Sequence, residues 1–263
     1  MEQVIAYINK NYDSYVEQLK QFLTIKSIST LPENKADMKK CAEFVSDKLK
    51  EAGLSKVQIF KTEGHPIVYG EWLGAPGKPT ILVYGHYDVQ PVDPIDLWDS
   101  PPFEPVIKDG KIFARGATDD KGQLFVHIKS VEAYFKSVGS LPINIKFLIE
   151  GEEEIGSPHL EPFIKANKDL LKCDTVLVSD TSLFAPGQPT LTYGLRGLSY
   201  LEVEVTGPNR DLHSGSYGGA VANPVNVLAS MISKLHDKNG KITIPVAQSV
   251  LPSCSRLRIV RLP

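Results

Sequence analysis

His86 and Asp88, at the end of the apolar run Ile81-Leu82-Val83-Tyr84-Gly85, are the first residues of the chain whose types and spacing could do chemistry. In an extended segment, positions two apart point to the same side. One of the pair can therefore ligate a metal while the other holds the imidazole by its second ring nitrogen. Two more apolar runs end in ligand-type residues: 143–149 runs into Glu150-Gly151-Glu152-Glu153-Glu154, and Thr175-Val176-Leu177-Val178 runs through Ser179 into Asp180. A fourth acidic cluster, Asp119-Asp120, lies between the first two. In open α/β sheets, ligands sit outside the carboxyl ends of the strands, so the pattern predicts one polar site at one sheet edge. One histidine and several acids gathered there read as a divalent metal site.

Each group also has a plainer reading. A single histidine at a strand end is usually structural, and it is the acidic groups that turn the balance towards ligation. Asp119-Asp120 opens a helical pattern, so an Asp here could simply cap the helix; Asp120 suits that role, whereas Asp119, at the start of the turn, is the better candidate for a carboxylate shared by two metals. Glu150, Glu152, Glu153 and Glu154 put four carboxylates within five residues after a buried strand. Like charges so placed repel unless a cation or shared proton compensates them. In extended chain neighbouring residues face opposite ways, so one Glu can bind metal while the next activates water. Asp211-Leu212-His213-Ser214-Gly215-Ser216-Tyr217-Gly218-Gly219 has the glycines of an anion loop but lacks the Gly-Lys-Ser/Thr ending of a nucleotide loop. His213 could donate a hydrogen bond to a developing oxyanion or merely anchor its loop. His65, His127, His159 and His236 lack comparable company and read as structural or surface histidines.

The elements that must position these groups follow from periodicity. Val4, Ile5, Ile8, Tyr12, Tyr15, Val16, Leu19, Phe22 and Leu23 predict one amphipathic helix. Met38, Cys41, Ala42, Val45 and Leu49 predict a second, with Asn34 as N-cap and Gly53 as stop. Strands are expected near 57–60, 66–73, 80–84, 143–149 and 175–179, with helices after Asp120 and near 158–170. The proline-rich stretch 91–105 should be an ordered loop beside His86, since buried strands exclude so many prolines. Strand and helix alternate, which predicts an α/β fold: a mostly parallel sheet with helices on both faces. Beyond Tyr193 the texture changes to a strand over 198–205, a Gly-rich loop and a helix opened by Asn223-Pro224. The expected division is 1–193, 194–245 and an atypical tail, 246–263, where arginines accumulate without periodicity.

Composition narrows the function. With 29 basic and 31 acidic residues and a net charge of −2, no global field attracts nucleic acid or an anionic membrane. No apolar run approaches a membrane span, and the first residues do not have the pattern of a signal peptide, so a cytoplasmic protein with a small-molecule partner is expected. Cys41, Cys173 and Cys254 are odd in number and far apart, which argues against a disulfide framework or a cysteine zinc site.

Taken together, Gly85-His86-Tyr87-Asp88-Val89, Arg115-Gly116 with Asp119-Asp120-Lys121-Gly122, Glu150-Gly151-Glu152-Glu153-Glu154-Ile155-Gly156-Ser157, Val178-Ser179-Asp180 and Asp211-Leu212-His213-Ser214-Gly215 resemble the dinuclear zinc metallopeptidase family of carnosinase-type dipeptidases, aminoacylases, desuccinylases and carboxypeptidase G. Order and spacing match over about residues 1–245. Tyr193-Gly194-Leu195-Arg196-Gly197 and the Asp-Leu-His-Ser-Gly form look most like the carnosinase branch.

The resemblance implies that His86, Asp119 and Asp180 bind one zinc and that Asp119 bridges to a second, also held by Glu154. Manganese or cobalt could substitute. Asp88 would orient His86, Glu153 would be the general base acting on the attacking water, and a cis peptide would join Asp119 to Asp120. His213, on a partial α+β lid domain, would reach a partner's site across a homodimer interface and stabilise the oxyanion. The implied substrate is a dipeptide or, alternatively, an N-acyl amino acid. Family members continue well past residue 245, where a final histidine completes the second zinc site. The ending is therefore expected to be that of a truncated or frame-shifted product, with the Glu154 site one ligand short, apolar surface exposed, and activity impaired.

Overall fold

The N-terminal apolar stripe folds as two helices rather than one. In the computed structural model, α1 (Glu2–Lys10) and α2 (Tyr12–Leu23) meet at Asn11, whose φ of −107° and ψ of 11° leave helical geometry. The Asn11 side chain donates to Tyr7 O at 2.8 Å, a local bond that competes with helix propagation. The structure describes residues 1–188, 190–192, 194, 195, 197 and 202–243, and the backbone of Val260–Arg261. It divides into two compact units, Met1–Pro189 and Thr190–Pro263.

In the first unit α3 (Lys35–Glu51) stops at Gly53, which takes a φ of 101° open to glycine. Asn34 stands at the N-cap position, but its amide donates to Asp37 Oδ2 at 3.1 Å instead of capping. Then come β1 (Lys56–Phe60), β2 (Ile67–Trp72), β3 (Thr80–His86), β4 (Val106–Lys108), β5 (Lys111–Phe113), α4 (Lys121–Val138), β6 (Asn144–Glu150), α5 (Leu160–Ala166), α6 (Lys168–Leu171) and β7 (Thr175–Val178). The single helix expected near 158–170 is interrupted at Asn167, whose side chain donates to Phe163 O at 2.9 Å. The hairpin β4–β5 was missed from the periodicity, although Asp109-Gly110 at its tip, with φ of 53° and 71°, is a strong hairpin signal.

The main sheet has the order β1-β2-β6-β3-β7. Its mixed character corrects the mostly parallel expectation. β3 pairs in parallel with β6 and β7, but β1–β2 and β2–β6 are antiparallel. Residues 61–66 are too few for a crossover, so β2 must turn back on β1, whereas α4 and the pair α5–α6 supply the helical crossovers that parallel strands need. Helices do cover both faces. Val68, Val83, Phe147 and Ile149 point to Phe22, Met38, Val45, Leu49, Leu124 and Ile128. Their strand neighbours Ile67, Tyr69, Leu82 and Leu148 point to Leu171 and Phe163. Each such side chain contributes roughly 1.5–3 kcal/mol by leaving water, so a one-residue slip in register would exchange the two faces at large cost.

That register positions the site. His86 lies opposite Glu150, and β7 stops at Val178 opposite Tyr84, so all three strand ends open at one edge.

The second unit contains β8 (Val205–Thr206), α7 (Ser214–Tyr217), α8 (Pro224–Ser233) and β9 (Val260–Arg261), with β8 and β9 parallel. Asn223 Oδ1 accepts from Val225 N at 2.9 Å and Pro224 takes the first helical position, as the sequence predicts. Of the strand expected over 198–205, residues 198–201 lie outside the described residues, as do Tyr193, Arg196 and nearly all of the tail at 246–263. No helix among the described residues is long and apolar enough to cross a membrane.

Candidate metal centre

His86 is completely buried where β3 ends, and its ring is gripped from both nitrogens. Nδ1 lies 3.1 Å from Asp88 O and 3.3 Å from Asp88 Oδ1. Nε2 faces Asp119 Oδ1 at 3.1 Å and Asp180 Oδ2 at 3.5 Å. Ligand atoms of these three residues all lie within 4.8 Å of one another. Donors about 2.0–2.1 Å from a tetrahedral ion sit roughly 3.3 Å apart, so the spacing fits one shared cation. These are nitrogen and oxygen donors of the kind zinc takes.

The electrostatics ask for positive charge. Burial pulls the His86 imidazole down, but its hydrogen bond to Asp88 and the charges of Asp88, Asp120 and Asp180 outweigh this and hold its pKa at about 10. Burial likewise lifts Asp120 to about 7, against the pull of His86. A proton is thus retained where a divalent cation could neutralise the same carboxylates. Among the described residues the buried Asp120 Oδ1 has no hydrogen-bond partner, a further sign of unmet demand in this pocket.

Asp119 and Asp120 are joined by a cis peptide. Asp120 was read as a helix cap. It occupies that position in α4, yet its side chain makes no cap bond and Oδ2 accepts instead from His86 N at 3.2 Å. The next residue, Lys121, is fully buried and donates to Ile25 O at 2.8 Å and Phe22 O at 3.3 Å, which ties this turn to the end of α2. Gly122 is required by close approach, because a Cβ there would lie 2.0 Å from Ala117 O.

The glutamate run divides its labour differently from the extended-chain expectation. Residues Glu153–Ile155 form a 3-10 turn, so side chains no longer alternate. Glu150 accepts from Tyr84 OH at 2.6 Å and Ser157 OH at 2.8 Å. Glu152 turns away to His159 Nδ1 at 2.7 Å and His65 N at 3.1 Å. The turn is held by Asp88, whose carboxylate accepts from Glu153 N at 3.3 Å and Glu154 N at 3.1 Å. Glu154 stands outside the three-residue cluster, with its carboxylate accepting from Gln90 Nε2 at 2.6 Å. Burial raises the pKa of both Glu153 and Glu154, and the charge of Asp119 adds to the effect on Glu154. Gln90 was missed, although it continues the every-second-residue pattern of His86 and Asp88.

The proline-rich loop is ordered beside the centre. Trp98 Nε1 donates to Val92 O at 2.9 Å, and Arg115 donates to Pro91 O at 2.8 Å while stacking 5.2 Å from the Trp98 ring. His127, read as having no company, shares a 2.6 Å hydrogen bond with Ser179 Oγ. His213 belongs to the second unit, at the N-cap position of α7.

Comparison with known proteins agrees with this architecture. The chain is 36% identical over 257 residues to the Cys-Gly metallodipeptidase dug1 of Schizosaccharomyces pombe, covering 93% of this chain and 54% of the relative. It is 34% identical over 267 residues to human Beta-Ala-His dipeptidase, covering 96% and 53%. Among solved structures, it superposes on the dipeptidase Dug1p of Saccharomyces cerevisiae with a TM-score of 0.76 and 31% identity, and on human carnosine dipeptidase 1 with 0.75 and 31%; each match covers 96% of this chain and 56% of the other. The chain therefore spans about half the length of the curated relatives it matches. The description Peptidase family M20/M25/M40 matches residues 82–252, the segment carrying every proposed ligand, and the chain belongs to that family.

Proposed function

We propose that the chain holds zinc through His86, Asp119 and Asp180 and carries the machinery for hydrolysing the peptide bond of dipeptides. The observation that carries this reading is the convergence of those three side chains within 4.8 Å at the mouth of the parallel strands. Asp119, the most exposed of the three with 59% of its side chain open, is suited to bridge to a second zinc shared with Glu154. When bound, zinc supplies Lewis acidity and lowers the pKa of water towards neutrality. Manganese or cobalt would serve the same donors.

Asp88 keeps the His86 ring oriented and fixes the backbone of Glu153 and Glu154 in the same grip. Glu153, whose carboxyl pKa burial raises, would be the base that takes a proton from the attacking water and returns it to the leaving amine. His213 of a partner subunit would donate to the oxyanion in a homodimer. Cys41 and Cys173 are free thiols among the described residues, which suits a reducing, cytoplasmic compartment.

The test is zinc stoichiometry together with hydrolysis of dipeptides and of N-acyl amino acids by the purified chain. Dipeptide turnover lost in Glu153→Ala, with metal content unchanged, supports the reading. Turnover of N-acyl amino acids alone would reassign the substrate class. Metal binding without turnover would leave a metal-binding fragment.

A further inference from the structure

We infer that His127 is a positioning residue for the metal centre, acting through Ser179 to hold Asp180 at the distance from Asp119 that a shared cation requires. This rests on the zinc reading above. Of the three ligands, His86 lies within a strand ladder, whereas Asp180 lies past the end of one. Among the described residues β7 pairs with β3 alone, and that ladder ends at Val178, two residues before the ligand. Val176 and Val178 are half exposed, and Asp180 keeps 29% of its side-chain surface, between His86 with none and Asp119 with 59%.

Past Val178, a turn bond from Thr181 N to Ser179 O at 2.7 Å shapes the segment locally. Apart from the approach of Asp180 to His86, the 2.6 Å bond between Ser179 Oγ and His127 Nε2 is what ties this segment to another element among the described residues. That element is α4, which begins directly after Asp119-Asp120. His127 lies six residues into it, about 9 Å along the axis. One helix thus begins two residues after Asp119 and, less than two turns from its first residue, binds the neighbour of Asp180.

The surroundings favour a firm clamp. His127 borders a largely apolar, half-open hollow of about 190 Å³ lined by Ile81, Val83, Val131 and Leu177, where few polar groups compete for the bond. Burial pushes the imidazole below its ordinary value, so the ring is neutral near pH 7.

The experiment measures zinc affinity by competition with a chromophoric chelator, alongside thermal unfolding of the metal-free chain. His127→Phe keeps the ring and removes the bond. His127→Gln restores a polar atom near the Nε2 position. The expected result is a zinc Kd raised about 10–100-fold in His127→Phe, the range for partners that orient ligands, with the metal-free unfolding midpoint unchanged and His127→Gln recovering most of the loss. Ser179→Ala should match His127→Phe, and the double variant should be no worse than either. Ser179→Ala alone carries the test if His127→Phe does not fold. Wild-type zinc affinity in His127→Phe or Ser179→Ala overturns the assignment while the zinc centre stands, as does a loss that tracks a lowered metal-free midpoint. Failure of the unsubstituted chain to bind zinc overturns the centre itself, and the positioning role with it.

Discussion

Replacing Asp88 with alanine tests whether one carboxylate organises both sides of the centre. The side chain is wholly buried, lies 3.3 Å from His86 Nδ1, and accepts from Glu153 N at 3.3 Å and Glu154 N at 3.1 Å. Hydrogen bonds to a charged acceptor are worth about 1.5–3 kcal/mol each; both are long, so the lower figure applies and the pair contributes about 3 kcal/mol. Removing the charge also relieves repulsion on Glu150, Glu153 and Glu154, whose carboxyl pKa values it helps to raise, and this offsets about 1 kcal/mol at a surface-like dielectric. Because the interaction with His86 is lost as well, the net expectation is a loss of at least about 2 kcal/mol in stability. Zinc affinity should fall separately by about 10–100-fold as His86 loses its orienting partner. Asp88→Asn keeps one acceptor oxygen and should lose about half the stability. Urea unfolding followed by tryptophan fluorescence is suited to the measurement, because the two tryptophans, Trp72 and Trp98, both lie in the first unit. Unchanged zinc affinity in Asp88→Ala would refute the orienting role, and unchanged stability would refute the anchoring of the glutamate turn.

Gly122→Ala should destabilise the first unit by about 1–3 kcal/mol or more, since the added methyl meets a backbone carbonyl that cannot swing away; a wild-type urea midpoint would contradict this. Phe147→Ala, at a fully buried position between the helices and the sheet, should cost about 3–5 kcal/mol in the same assay, and a loss below about 1 kcal/mol would mean the core is not packed as described. In the metal-free chain His86 titrates near 10 against an ordinary 6.5. The folded state therefore keeps a proton that the unfolded state sheds, and this stabilisation, complete below pH 6.5, is lost as pH rises through about 10. Zinc must displace that proton, so binding at pH 8 should release about one proton, read by calorimetry in two buffers of different ionisation enthalpy; no release would contradict the assignment.

The three residues that cluster in the candidate site, His86, Asp119 and Asp180, were legible because their signals are local. His86 and Asp180 follow apolar runs of strand length, the first buried and the second half exposed in the structure, and Asp119 opens an evident helix. Asp120, Glu152 and His127 were not legible. Asp120 turns from capping to the His86 amide because β3 passes beside it, and Glu152 is drawn to His159 and His65. His127 finds Ser179 across a separation of 52 residues. No spacing rule reports a partner that distant.

By itself the sequence determined that apolar strands alternate with amphipathic helices, that ligand-type residues sit at three strand ends, and where turns must fall, because hydrophobic period and turn chemistry are properties of neighbours in the chain. Tertiary structure alone decided the mixed direction of the sheet, since β2 pairs with β6 rather than with a later parallel strand. It also decided which of the clustered carboxylates face the centre. Once the chain leaves the β6 ladder at Glu150, alternation ends and the direction of each side chain is set by the partners that packing brings within reach.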